Sequence, residues 1–105
     1  MINETLPTED AIIEKLRTIY DPEIPVNVYD LGLIYGIEIT QGAEVIVTMT
    51  LTTANCPAAE SLPMQVEMAV LHVDGVQRAT VNLTFEPPYE MSMMTEEAKL
   101  ELGLL

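Results

Sequence analysis

At 105 residues and 49% apolar composition, the chain is long enough to bury one core and too apolar to remain disordered. Its 17 acidic and 4 basic residues leave a net charge of −13, which argues against nucleic acid and anionic membranes as partners, because phosphate contacts need Lys and Arg. One cysteine rules out an internal disulfide, no apolar run approaches the roughly 18 residues of a membrane span, and no basic-then-apolar leader opens the chain, so a cytoplasmic location is expected.

Thr8 ahead of Glu9 and Asp10 reads as a helix N-cap with acids in the first turn. Ile12, Ile13, Leu16, Ile19 and Tyr20 then recur at helical spacing, and Asp21 before Pro22 predicts a stop near Tyr20. The stretch from Asp21 to Asp30 contains Pro22 and Pro25, which predict an extended, ordered loop. Ile24, Val26 and Val28 would anchor it to the core, leaving Asp21, Glu23 and Asp30 on the other side.

Leu33, Tyr35, Ile37 and Ile39 alternate with Ile34, Gly36, Glu38 and Thr40, and Val45, Val47, Met49 and Leu51 alternate with Ile46, Thr48, Thr50 and Thr52. Both patterns have the period of a strand, and Gln41-Gly42 between them is a weak hairpin turn, so an antiparallel pair is predicted.

The second strand runs into Thr52-Thr53-Ala54-Asn55-Cys56-Pro57. Proline favours the first position of a helix, which would set Cys56 at or beside the N-cap of the next element. Unpaired backbone N–H groups and the positive end of the helix dipole favour a thiolate there. Thr52, Thr53 and Asn55 can either hydrogen-bond a bound group or satisfy their own turn.

Leu62, Val66, Ala69, Val70 and Val73 form the next helical stripe, with Gly75 as its stop. Pro63 interrupts it: either a short turn covers 57–60 and the main helix restarts near Ser61, or the helix is kinked. Ala79, Val81, Leu83 and Phe85 alternate as a third strand, ended by Pro87-Pro88. Thr95-Glu96-Glu97 caps a last short helix with Met94, Ala98 and Leu102 on one stripe and Gly103 after it. The order helix, strand, strand, helix, strand, helix predicts one α+β domain over residues 1–105, a small two-layer sandwich with a three-stranded sheet covered by helices. If the second and third strands lie parallel, their crossover through the helix is right-handed.

A cysteine hydrolase needs a base beside its thiol. His72 is the only histidine and lies 16 positions after Cys56, roughly 24 Å along a continuous helix, so a Cys–His dyad does not fit. Asp21, Glu23 and Asp30 suggest a hard-metal or acid–base site, although their spacing matches no defined motif. Met91, Met93 and Met94 read as core filling and lid packing rather than a soft-metal site.

The run Asp21-Pro22-Glu23-Ile24-Pro25-Val26-Asn27-Val28-Tyr29-Asp30-Leu31-Gly32-Leu33-Ile34-Tyr35 belongs with four further blocks. They are Met49-Thr50-Leu51-Thr52-Thr53, Cys56-Pro57, Gly75-Val76 and Glu86-Pro87-Pro88-Tyr89. Together these resemble the iron–sulfur assembly family of SufT-type and PaaD-type proteins, from about Asp10 to Gly103. The chain departs from it in carrying Tyr89 where many members have Trp, and in Pro63. It lacks the extra C-terminal cysteines of PaaD-type members, so the short SufT-like type fits better.

The resemblance implies a single α+β domain that matures iron–sulfur proteins and is not an enzyme. It implies a site at Cys56, with Asp21, Glu23, Asp30, Thr52 and Thr53 brought close, and partners among the assembly machinery and client apoproteins. Clusters are usually held by four ligands. With Cys56 as the metal ligand, a transient iron–sulfur cluster or iron would therefore be shared between the chains of a homodimer or with a partner. The alternatives are a small thiolate-using enzyme and a metal-independent adaptor.

Overall fold

The computed structural model of the chain describes residues 6–21, 24–51 and 58–103. It has helix α1 (Glu9–Leu16), strands β1 (Ile34–Ile39) and β2 (Glu44–Met49), helix α2 (Ala58–Leu71), strand β3 (Arg78–Leu83), a 3₁₀ turn (Met91–Met93) and helix α3 (Glu96–Glu101). This is the expected α+β order. The sheet order is β1-β2-β3, with β1 antiparallel and β3 parallel to β2. The link through α2 is the one that lets β3 run alongside β2 in the same direction.

The alternation in β2 translates directly into burial. Val45, Val47, Met49 and Leu51 point into a core that also takes Ile12 and Leu16 of α1 and Leu62, Val66 and Val70 of α2. Both helices therefore sit on one face of the sheet, giving two layers. Thr8 Oγ1 accepts from the Ala11 amide, and Thr95 Oγ1 accepts from the Ala98 amide, so both predicted N-caps are made.

Several boundaries differ from the sequence pattern. Helix α1 stops at Leu16, not near Tyr20. The Thr18 and Ile19 amides turn back to the Lys15 and Leu16 carbonyls, and Tyr20 bridges to Asn27 instead. Ile19 thus reaches the core from a turn, while Tyr20 stays 58% exposed. Helix α2 runs from Ala58 through Leu71 with Pro63 inside it, so there is no restart at Ser61. It ends before Gly75, which instead takes a positive φ of 93° in the following turn. In the β1–β2 turn the left-handed residue is Ala43, not Gly42.

Strand β1 departs from simple alternation. Its register with β2 slips between Ile34 and Gly36, which makes Tyr35 the extra residue of a β-bulge. Strand β3 also loses its covered face towards its end, where Leu83 and then Phe85 are exposed.

Candidate functional site at the carboxyl end of strand β2

The chain between β1 and its preceding helix is a set of turns fastened to the end of β2. The Leu31, Gly32 and Leu33 amides donate to the carbonyls of Asn27, Tyr29 and Val28, and the Thr50 amide donates to the Leu33 carbonyl at 2.8 Å. Val26, Val28, Leu31 and Leu33 are buried, so the loop is part of the core, as its apolar residues predict.

The segment after β3 closes over the same end of the sheet. The Thr84 amide donates to the Met49 carbonyl at 2.9 Å, extending the β2–β3 pairing by one residue. Tyr35 Oη then donates to the Pro87 carbonyl at 2.8 Å and lies 3.6 Å from Met93 Sδ. Because Ile34 opens β1 opposite Met49 at the close of β2, the strap from Thr84 to Met93 crosses the whole sheet end from β3 to β1. The bulge at Tyr35 turns its side chain to meet it. Tyr89 Oη donates to the Leu31 carbonyl at 2.6 Å, and the Thr95 amide donates to the Asp30 carbonyl at 2.9 Å.

Gly32 permits this closure. Its φ is +89°, and a Cβ there would overlap the Met93 carbonyl oxygen and lie 2.8 Å from the Met93 carbonyl carbon. Between Tyr29, Tyr35, Pro87 and Met93 an open groove of about 560 Å³ remains. Burial raises the Tyr89 pKa above the ordinary phenolic value, and the nearby Tyr35 and Asp21 push it the same way, which places the Asp21 carboxylate within electrostatic reach of the strap.

Of the predicted site residues, Asp21 and Asp30 are described. Both are largely enclosed by the loop. Asp21 is 7% exposed, and its Oδ1 accepts from the Ile24 amide at 3.2 Å. Asp30 Oδ2 accepts from Asn27 Nδ2 at 2.9 Å, while Asn27 Oδ1 accepts from the Asp30 amide at 2.8 Å. Asp30 Oδ1 pairs with Arg17 Nε at 3.4 Å, and the Arg17 guanidinium stacks 5.2 Å from the centroid of the Tyr29 ring. The physical reason is that the Asp21 carboxylate serves a turn amide and the Asp30 carboxylate serves the Asn27 and Arg17 side chains, which draws both into the fold.

Cys56, Thr52, Thr53, Asn55 and Glu23 lie outside the described residues. The described residues on either side of the cysteine stretch are Leu51, buried beyond the end of β2, and Ala58, the first residue of α2. The chain thus leaves for Cys56 at the sheet end that the loop and the strap frame. Among the described residues, no three His, Asp or Glu side chains come together as a metal group. His72 is exposed just past the end of α2, its Nδ1 2.7 Å from the Met68 carbonyl. No helix among the described residues is long and apolar enough to cross a membrane.

Tyr35, Tyr89, Gly32 and Met93 were not singled out as site residues by sequence pattern, yet they hold the frame together. The signal available for Gly32 is its place in Asp30-Leu31-Gly32-Leu33, a turn entering a strand. Nothing local marks the tyrosine pairs.

A family model described as iron–sulfur cluster assembly protein matches residues 9–83. An Fe-S protein maturation auxiliary factor of Porphyromonas gingivalis is 56% identical over 105 residues, covering 100% of both chains. The Fe-S protein maturation auxiliary factor SufT of Staphylococcus aureus is 31% identical over 86 residues, covering 82% of this chain and 98% of that one. Among solved structures, a domain of unknown function from Bacillus anthracis superposes with a TM-score of 0.86 at 30% identity, covering 92% of each chain.

Proposed function

We propose, from the premise that this chain belongs to the iron–sulfur cluster assembly protein family, that it acts as a maturation factor which receives an iron–sulfur cluster or iron as cargo at Cys56 and passes it to client apoproteins. The observation that carries this reading is the framed sheet end. A loop and a strap from distant parts of the chain converge where the backbone departs for its only cysteine.

The whole chain works as one unit in this reading, without turnover chemistry of its own. One thiolate cannot supply the four ligands that clusters usually take. Asp21 and Asp30, the described acids of the loop, are already engaged with the Ile24 amide, Asn27 and Arg17. The remaining ligands therefore come from a second copy of the chain, from the assembly machinery or from the client. A cargo held by few ligands of this protein leaves readily, which suits transfer. Thr52, Thr53 and Asn55 precede Cys56 in sequence, Glu23 belongs to the stretch between Asp21 and Ile24, and all four are proposed to line the cargo's path.

Anaerobic reconstitution of wild type and Cys56→Ser, read by visible absorption, iron and sulfide content and native mass, tests the proposal. Wild type should take up a labile cluster on a species larger than one chain and transfer it to an apo acceptor. A stable cluster on a monomer, retained in Cys56→Ser, overturns it. Full maturation activity with Cys56→Ala and no bound iron favours the metal-independent adaptor.

A further inference from the structure

We propose that the outward face of α2 is a docking surface for a basic amphipathic helix of a partner protein. One face of this helix is spent on the core through Leu62, Val66 and Val70. The opposite face is also apolar: Met64, Met68 and Leu71 are 64%, 54% and 39% exposed. Their spacing of four and then three residues sets them in one row along the helix, the pattern that meets i, i+4 and i+7 anchors of a second helix. Methionine side chains are flexible and polarizable, and they adapt to a partner's surface.

Charge selects the occupant. Ala58–Leu71 contains no Lys or Arg, exposed Glu67 flanks the row, and exposed Asp74 follows it. The last turn has no basic residue, so its carbonyls add partial negative charge at the Leu71 end. A second copy of the chain would bring −13 against −13 and its own Glu67. Residues 1–5 and 104–105 contain no Lys or Arg to meet that rim. An anionic membrane is repelled for the same reason. A helix with apolar anchors between Lys or Arg flanks satisfies both the row and its rim.

The test uses the full-length apoprotein, labelled at methionine methyl groups, and a synthetic helical peptide with Leu at i, i+4 and i+7 and Lys on both flanks. The Met64 and Met68 resonances should shift on titration while that of buried Met94 stays. Met64→Ser/Met68→Ser should weaken binding about tenfold or more at unchanged thermal midpoint, and Glu67→Lys should weaken it through charge alone. Equal binding of a scrambled peptide, of a Glu-flanked peptide or to the double variant overturns the proposal. So does self-association of wild type that the double variant abolishes, which would assign the face to a second copy. Peptide binding is read without cargo, so its failure leaves the maturation role untouched.

Discussion

Tyr89 latches the C-terminal strap to the Leu31 carbonyl, a residue 58 positions earlier, through a hydrogen bond of 2.6 Å. Tyr89→Phe removes the donor and leaves that carbonyl short of a partner beside a fully buried side chain. The expected loss is about 1 kcal/mol, read by chemical denaturation.

The same tyrosine sets an alkaline limit. Its folded-state pKa is raised, by burial first and then by Tyr35 and Asp21. Below the unfolded phenolic value of about 10 both states hold the proton, so the stabilisation is fully present. Above it the unfolded chain ionises first, and stability falls as pH climbs through the folded pKa. Denaturation curves across this range should show a steeper decline for wild type than for Tyr89→Phe. Parallel curves would mean that other groups set the limit.

Gly32→Ala combines a positive φ with a collision against Met93 backbone. A cost of about 2 kcal/mol or more is expected, with the strap displaced. Protease cutting between Thr84 and Met93 should quicken in the variant while the sheet amides keep their hydrogen-exchange protection.

Asp30→Asn replaces a carboxylate that accepts from Asn27 and pairs with Arg17. A loss of about 1 kcal/mol is expected, because Arg17 is half exposed and screened while the Asn27 bond is better shielded. Unchanged melting together with lost client maturation would assign Asp30 to the cargo rather than to the loop.

For Cys56, α2 begins at Ala58, two positions on, which keeps the helix dipole close in sequence. The thiol should be alkylated with a midpoint below the free value of about 8.5. A midpoint above it would mean that the surrounding negative charge prevails over the dipole.

What the chain reveals in one dimension depends on the range of the interaction. Val45, Val47 and Met49 are buried as their alternation predicts, and Thr8 and Thr95 cap their helices, because strand period and capping involve neighbours within a few residues. Ile19 and Tyr20 continued the helical spacing, but the chain turned at Arg17 and used Ile19 from a loop. Asp21 and Asp30 suggest a hard-metal or acid–base site in the sequence, and no local pattern announces that a turn amide, Asn27 and Arg17 engage them. Tyr35 kept its strand parity in the sequence, yet the bulge gave it to the strap. The resemblance pointed to the region around the cysteine, while the tyrosine and glycine contacts that brace it are matters of tertiary geometry.

The strap has a consequence for biosynthesis. A nascent chain that has emerged only as far as Leu83 holds every strand of the sheet, but the Leu31 and Asp30 carbonyls still lack Tyr89 and Thr95. Those partners are made only after the last strand of the sheet. The end of the sheet from which the chain departs for its cysteine is thus braced only after all three strands have been made, so a chain cut short before Tyr89 does not yet carry the completed frame.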